Sequence, residues 1–372
     1  MRTSIPFVKQ DAVAPKVGGE PAITATGAVI ANAVFDAAGV RMLHLPMQPE
    51  RVRGAMAARR QVPVHGLGRR LATATLAVAI TLGLSATSPL MAQPAAPSQQ
   101  LTPLVSPGSS EHHVGKVVLM QLVTPDLATA KRFYGGLFGW RFRDLKLGGE
   151  DYAEARLDQQ LVAGLLHKAL PAGERRQSSW LPFLAVRDVD ATKKLALANG
   201  AKVLREPHTV QNRGREAVFS DPQGAVFAVL ASSSGDPPDE LADPGEWIWA
   251  SLSTPDPDTN AGFYQTLFDY EVFDLPADAG ARHLMLATDS YARASANTLP
   301  KGPPGARPHW MNYVHVEDVA AASARVQALG GRVLVAPRAD RHGGRVAIVA
   351  DPLGAAFGLL EWSDAQGKEP TP

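Results

Sequence analysis

Two short runs in the second half of the chain hold the residues best placed to do chemistry. Trp249 and Ser251 stand two apart, as do Tyr313 and His315. Alternate residues of an extended segment project to the same side, so each run offers an aromatic surface and a hydrogen-bonding group to one face. An aromatic wall with a few polar groups is the composition of a small-molecule site. A histidine beside a tyrosine hydroxyl could also move protons to or from a bound molecule. Blander readings stand beside these: His315 as a half-buried ring bonded to a neighbour, and Trp249 as ordinary core between modules.

Other chemistries lose their residues. Cysteine is absent, which removes disulfides, thiolate metal sites and thiol nucleophiles. No GxSxG elbow, phosphate-binding loop, HExxH helix or dinucleotide glycine motif occurs, so covalent serine catalysis and nucleotide hydrolysis have no support. His112 and His113 form a pair with too few ligands for a metal centre. His342 lies in the loop RADRHGGR, whose Gly-Arg recurs at Arg215 and Arg345. Those arginines either close over an anionic ligand or anchor the loop. A net charge of +1 gives no electrostatic case for nucleic acid or an anionic membrane.

The elements that must position these residues are written twice. TPDLATAKRFYGGLFGW, from Thr124, returns as TPDPDTNAGFYQTLFDY, from Thr254, an offset of 130 residues. The offset holds for Trp180 and Trp310, Asp188 and Asp318, Pro207 and Pro337, and the turns at Asp221 and Asp351. Gln121 thereby takes the place of Ser251 in the earlier copy, as a ligand-facing group or a solvent-linked one.

Asp126 and Asp256 stand where helix N-caps belong, and Pro257 suits a first helical position. Ala130, Phe133, Tyr134 and Leu137 follow the spacing of one buried helical face, and Gly139 ends the helix. Val117 to Val123 reads as the preceding strand. Each copy then holds strands at 152–157 and 161–168. A second strand and helix follow, with Asp188 as N-cap, Leu195 on the buried face and Gly200 as the stop. Further strands and a type I turn at Asp221-Pro-Gln-Gly complete it. Each module is thus a βαβββ unit followed by roughly the same again.

The first 92 residues read as an extension ending in a signal peptide. Arg59, Arg60, Arg69 and Arg70 precede an uncharged run from Leu71 to Leu84, and the small residue Ala92 follows. The run is shorter than the about 20 residues of a membrane span, the alternative being a single anchor. Met56 could begin a signal of ordinary length, which places the protein in the periplasm or medium. Residues 93–113 read as a flexible tether, 114–232 as the first module, 233–244 as a linker, 245–363 as the second module and 364–372 as a tail.

An opening strand, TPD, a helix carrying FYxxLFGW, then DVD and DPxGAxF together resemble the vicinal oxygen chelate superfamily of glyoxalase I, bleomycin-resistance proteins and extradiol dioxygenases. The resemblance covers about residues 114 to 363. It implies an α+β fold of two tandem modules, each a pair of βαβββ units forming a concave curled sheet. It also implies a divalent metal held by His, Gln or Glu. The positions that would carry those ligands are Leu119, Leu181 and Ala228 in the first module and Trp249, Met311 and Gly358 in the second. None suits a hard or borderline cation, and Glu361 has the wrong strand parity to substitute.

The expectation is therefore no cofactor and a small, partly apolar or aromatic ligand. It meets the concave face of the second module, made of Trp249, Ser251, Tyr313 and His315, with Gln121 as the ligand-facing group of the first, on a monomer of two modules or a homodimer. The alternative is a glyoxalase-like lyase or isomerase, or an oxygenase, working through other ligands or through His315 and Tyr313. Val118, Met120, Leu122, Val314 and Val316 have the opposite parity and are expected under the helices.

Overall fold

Strand β1 (Val117–Thr124) leads into helix α1 (Leu127–Phe138), then β2 (Arg141–Leu147), β3 (Glu150–Leu157) and β4 (Gln160–His167). The unit repeats as β5 (Ser179–Ala185), α2 (Val189–Ala198), β6 (Lys202–Val210), β7 (Gly214–Ser220) and β8 (Val226–Ser232). The second module follows with β9 (Trp247–Thr254), α3 (Pro257–Phe268), β10 (Glu271–Asp274), β11 (His283–Thr288), β12 (Tyr291–Thr298) and β13 (His309–His315). Helix α4 (Val319–Ala328), β14 (Arg332–Ala339), β15 (Arg345–Ala350) and β16 (Ala356–Leu360) complete it. This is a computed structural model, and it describes residues 100–169, 178–300, 307–340 and 344–362. The expected signal segment, Met56, His342 and the tail lie outside the described residues. No helix among the described residues is long and apolar enough to cross a membrane.

Local chemistry starts the helices where the sequence predicts. Asp126 accepts from the Thr129 amide at 3.0 Å, and Asp256 repeats the contact with Thr259 at 3.1 Å. Asp188 and Asp318 cap α2 and α4, each accepting from two backbone amides. Gly139 ends α1 at φ 75°, a left-handed conformation that costs glycine little. Leu195 departs from expectation. It is 44% exposed, because α2 turns Val189, Thr192 and Ala196 inward and the position before Ala196 points about 100° away.

Each module forms one eight-stranded sheet, in the orders β2-β3-β4-β1-β5-β8-β7-β6 and β10-β11-β12-β9-β13-β16-β15-β14. In each, two βαβββ units meet at an antiparallel pair of opening strands, β1 with β5 and β9 with β13. Edge strands β2 and β10 were not read from the sequence, because RFRDLKL and EVFD lack clean alternation. The first sheet curls strongly. Glu154 on β3 reaches Arg213 in the turn between β6 and β7 at 2.6 Å, although these elements lie near opposite ends of the strand order.

The two cores do not follow module boundaries. One joins Leu184, Phe219, Phe227 and Val229 of the first module to Leu252, Tyr264, Phe268, Leu286 and Trp310 of the second. The other joins Met120, Leu122, Phe133, Tyr134, Trp140 and Leu165 to Val314, Val326, Val349, Phe357 and Leu359. Each half of one module is thus buried against the opposite half of the other, with the helices between the sheets. The repeated aromatic and acidic landmarks bind this seam. Tyr134 Oη donates to Asp351 Oδ2 at 3.3 Å, and Tyr264 Oη to Asp221 Oδ2 at 3.1 Å. Trp180 and Trp310 donate their indole N–H to the same two tyrosines at 2.9 and 3.0 Å.

Candidate functional site

With the helices on the inner side of the sheets, the opposite faces are free to form sites. Met120 and Leu122 on β1, and Val314 on β13, lie with the helices as their parity predicts. Val118 does not. A shift of register between Val117 and Leu119 turns Val118 to the concave side and Val117 toward the helices. A comparable shift between Tyr313 and Val314 separates the tryptophans of β9. Trp247 joins the inner core, donating to the Val162 carbonyl at 3.0 Å and meeting Trp180 edge-on at 4.7 Å. Trp249 stays on the concave face.

That face of the second module gathers a polar chain. Trp249 Nε1 donates to Ser295 Oγ at 3.2 Å, and Asn297 Nδ2 donates to Ser295 Oγ at 3.2 Å and to Ser251 Oγ at 2.6 Å. Strand pairing sets Ser295 beside Ser251, Ser251 beside Met311, and Trp249 beside Tyr313. Ser295 and Asn297 escaped the sequence reading. Their alternation on YARASANT was the available signal, hidden because small residues flank them. Trp249, Tyr313 and Met311 are half-buried, so the face has an aromatic and thioether surface beside its hydroxyls and amide. Burial, with Asp340 adding, pushes the Tyr313 hydroxyl up to about 12, so it is a neutral donor near pH 7.

His315 is committed elsewhere. Its Nδ1 lies 2.7 Å from the Ala242 carbonyl. A carbonyl only accepts, so Nδ1 donates and Nε2 is the basic nitrogen of the neutral ring. Arg215 anchors its own surroundings, bridging to Asp190 of α2 at 2.6 Å. Glu361 accepts from the Val319 amide at 3.1 Å and so serves the start of α4.

The residues at the family's metal positions do not fit a metal. Leu119, Leu181, Ala228, Trp249 and Gly358 offer no side-chain lone pair of the right kind, and the thioether of Met311 suits only soft ions. At residue 358 the space is also taken, since a Cβ there would overlap the Tyr313 ring. Gly358→Glu, which restores the type of residue the family uses, is expected to lower the unfolding free energy by about 1–3 kcal/mol through overpacking. Urea denaturation measures it, and Tyr313→Ala in the same chain should recover part of the loss.

The first module's concave face differs. Leu119, Phe183, Ala185, Ala228 and Leu230 form an apolar floor, with Gln121 buried in the adjoining row. The chain's own residues 100–105, part of the stretch expected as a tether, lie across it. Leu104 packs on that floor, and Leu101 packs with Tyr152 and Val210. Glu154 accepts from the Thr102 amide and hydroxyl, both at 2.7 Å, and pairs with Arg143 at 2.7 Å as well as with Arg213. Burial works to raise its pKa, but these donors outweigh it and hold the carboxyl below its ordinary value.

Two βαβββ units sharing one curled sheet, repeated in tandem with ligand-bearing positions on the concave side, define the vicinal oxygen chelate class. Residues 112–229 match the model of the Glyoxalase/Bleomycin resistance protein/Dioxygenase superfamily, and residues 249–360 match that of a glyoxalase-like domain. The chain belongs to this superfamily. It is 30% identical over 257 residues to CFP32 of Mycobacterium tuberculosis (strain CDC 1551 / Oshkosh), which is named as a glyoxylase, covering 68% of this chain and 98% of that one. It is 33% identical over 270 residues to the anthracycline biosynthesis protein DauV of Streptomyces sp. (strain C5), covering 68% and 94%. The Mn(II)-bound glyoxalase of Novosphingobium aromaticivorans aligns at 18% identity and TM-score 0.47, over 67% of this chain and 83% of that one.

Proposed function

We propose that this chain is an exported binding protein that holds a small, partly apolar or aromatic metabolite on the concave face of its second module, without the superfamily's metal. The observation that carries this reading is the chain of Trp249, Ser295, Asn297 and Ser251 beside Tyr313 and Met311, on the face that superfamily members use for ligands. An indole and a phenol offer stacking surface, and the hydroxyls and amide can orient a carbonyl or phenol. The anthracycline name of the Streptomyces relative fits such a wall, since that product is a fused-ring aromatic. Export rests on the basic, apolar and small-residue order before Gln93.

The test is a titration with hydroxylated anthraquinones, followed by tryptophan fluorescence, on protein also subjected to metal analysis. Trp249→Ala is expected to weaken binding at least tenfold, about 1.4 kcal/mol, and Asn297→Ala by several-fold. Binding unaffected by both changes, or a stoichiometric divalent metal, would overturn the reading.

A second reading, an acid–base enzyme, is favoured by His315, whose Nδ1 bond to Ala242 leaves Nε2 as the basic nitrogen two residues from Tyr313 on β13, and by the name of CFP32. It requires turnover of a bound compound that His315→Gln abolishes while leaving binding intact.

A further inference from the structure

We infer that the first module's concave face is a second small-molecule site held shut by the chain's own residues 100–105, and that it takes an apolar molecule bearing an acidic group. The segment is bound as a ligand is bound. It extends neither sheet, and its backbone bonds run to side chains: Thr102 N to Glu154, Val105 N to Ser234 Oγ, the Gln100 carbonyl from Arg143 and the Leu101 carbonyl from Asn212. Leu104 occupies the apolar floor, and from Ser106 to Glu111 the chain is exposed.

The plug leaves the site beneath it incompletely satisfied. Arg213 is 1% exposed, and only its Nη2 is used, on Glu154, while Nε and Nη1 have no hydrogen-bond partner among the described residues. Arg156 Nε is likewise unpartnered. Buried donors without acceptors are costly, so a molecule that supplies acceptor oxygens improves on the plug. Arg143, Arg156 and Arg213 outnumber the carboxylates Glu154 and Glu216 at this end of the cup, which favours an anion, and Leu119, Phe183 and Ala228 favour an apolar body.

The inference does not depend on the second module's ligand, and the experiment separates them. The full chain carrying Trp249→Ala is titrated with 1-anilinonaphthalene-8-sulfonate, with and without Leu104→Ser. Loosening the plug should add one site per chain or tighten binding at least tenfold. Neutral N-phenyl-1-naphthylamine should bind the opened site at least tenfold more weakly. In the chain without Leu104→Ser, saturating sulfonate should speed hydrogen exchange at the Thr102 and Val105 amides several-fold. A folded Leu104→Ser protein with neither an added site nor tighter binding overturns the inference. So does unchanged exchange at those amides under saturating probe, which also decides the matter if Leu104→Ser does not fold.

Discussion

Asp221→Ala is expected to lower the unfolding free energy by about 3 kcal/mol, because several buried donors lose their acceptor at once. Asp221 is 3% exposed. Its Oδ1 accepts from the amides of Gln223, Gly224 and Ala225, at 3.0, 2.7 and 2.9 Å, and so builds its own turn. Its Oδ2 accepts from Tyr264 Oη and Asn260 Nδ2 of the other module. One carboxylate thus shapes a local turn and fastens the seam. Asp221→Asn keeps one acceptor oxygen and should lose about half as much, while Tyr264→Phe should lose about 1–2 kcal/mol. Urea denaturation of the single and double variants gives the coupling between residues 221 and 264. A coupling near zero, or separate unfolding transitions for the two modules, would refute the seam as a shared cooperative element.

Glu154→Ala should cost about 3–5 kcal/mol, since it leaves the Arg213 guanidinium buried without its counter-charge. The same carboxylate makes an acid-sensitive contribution. Its pKa is depressed in the folded protein, so its stabilisation is fully present above the ordinary glutamate value of about 4.3 and is lost as pH falls through the lower folded value. Arg143, Arg213 and the Thr102 amide and hydroxyl contact it directly, Arg156 reaches it through Thr102, and Tyr152 and Glu216 lie nearby. Glu154→Gln should remove this increment of acid sensitivity. Identical stability profiles for wild type and Glu154→Gln between pH 3 and 6 would contradict the assignment.

Trp247 and Trp249 show how far strand parity reaches. Parity puts them on the same face, and it holds for Trp249, whose indole meets Ser295. A register shift against β13 turns Trp247 to the opposite side, into the seam. Such a shift depends on the partner strand, which local alternation does not encode. Leu195 teaches a related lesson. The sequence puts Leu195 on the buried face, whereas the face of α2 that meets the sheet is set by Val189, Thr192 and Ala196. His315 carried the same ambiguity, and its bond to Ala242, 73 residues away, was visible only in three dimensions.

The sequence by itself determined what depends on neighbours along the chain. The repeat at a constant offset, the four aspartate caps, the glycine stop of α1, the tight turns and the residue types at the superfamily's ligand positions are all local, set by backbone geometry and side-chain chemistry. Tertiary structure decided what joins distant residues. Tyr134 meets Asp351 across 217 positions, and Thr102 meets Glu154 across 52. Periodicity says that a face is apolar but not which other face will cover it. Burial of that apolar surface is non-directional, so the partner is chosen by shape and hydrogen bonding in the assembled fold. That choice crossed the halves of the two modules, closed one concave face with the chain's own segment and left the other with Trp249, Tyr313 and Asn297 half-buried beside the buried hydroxyls of Ser251 and Ser295.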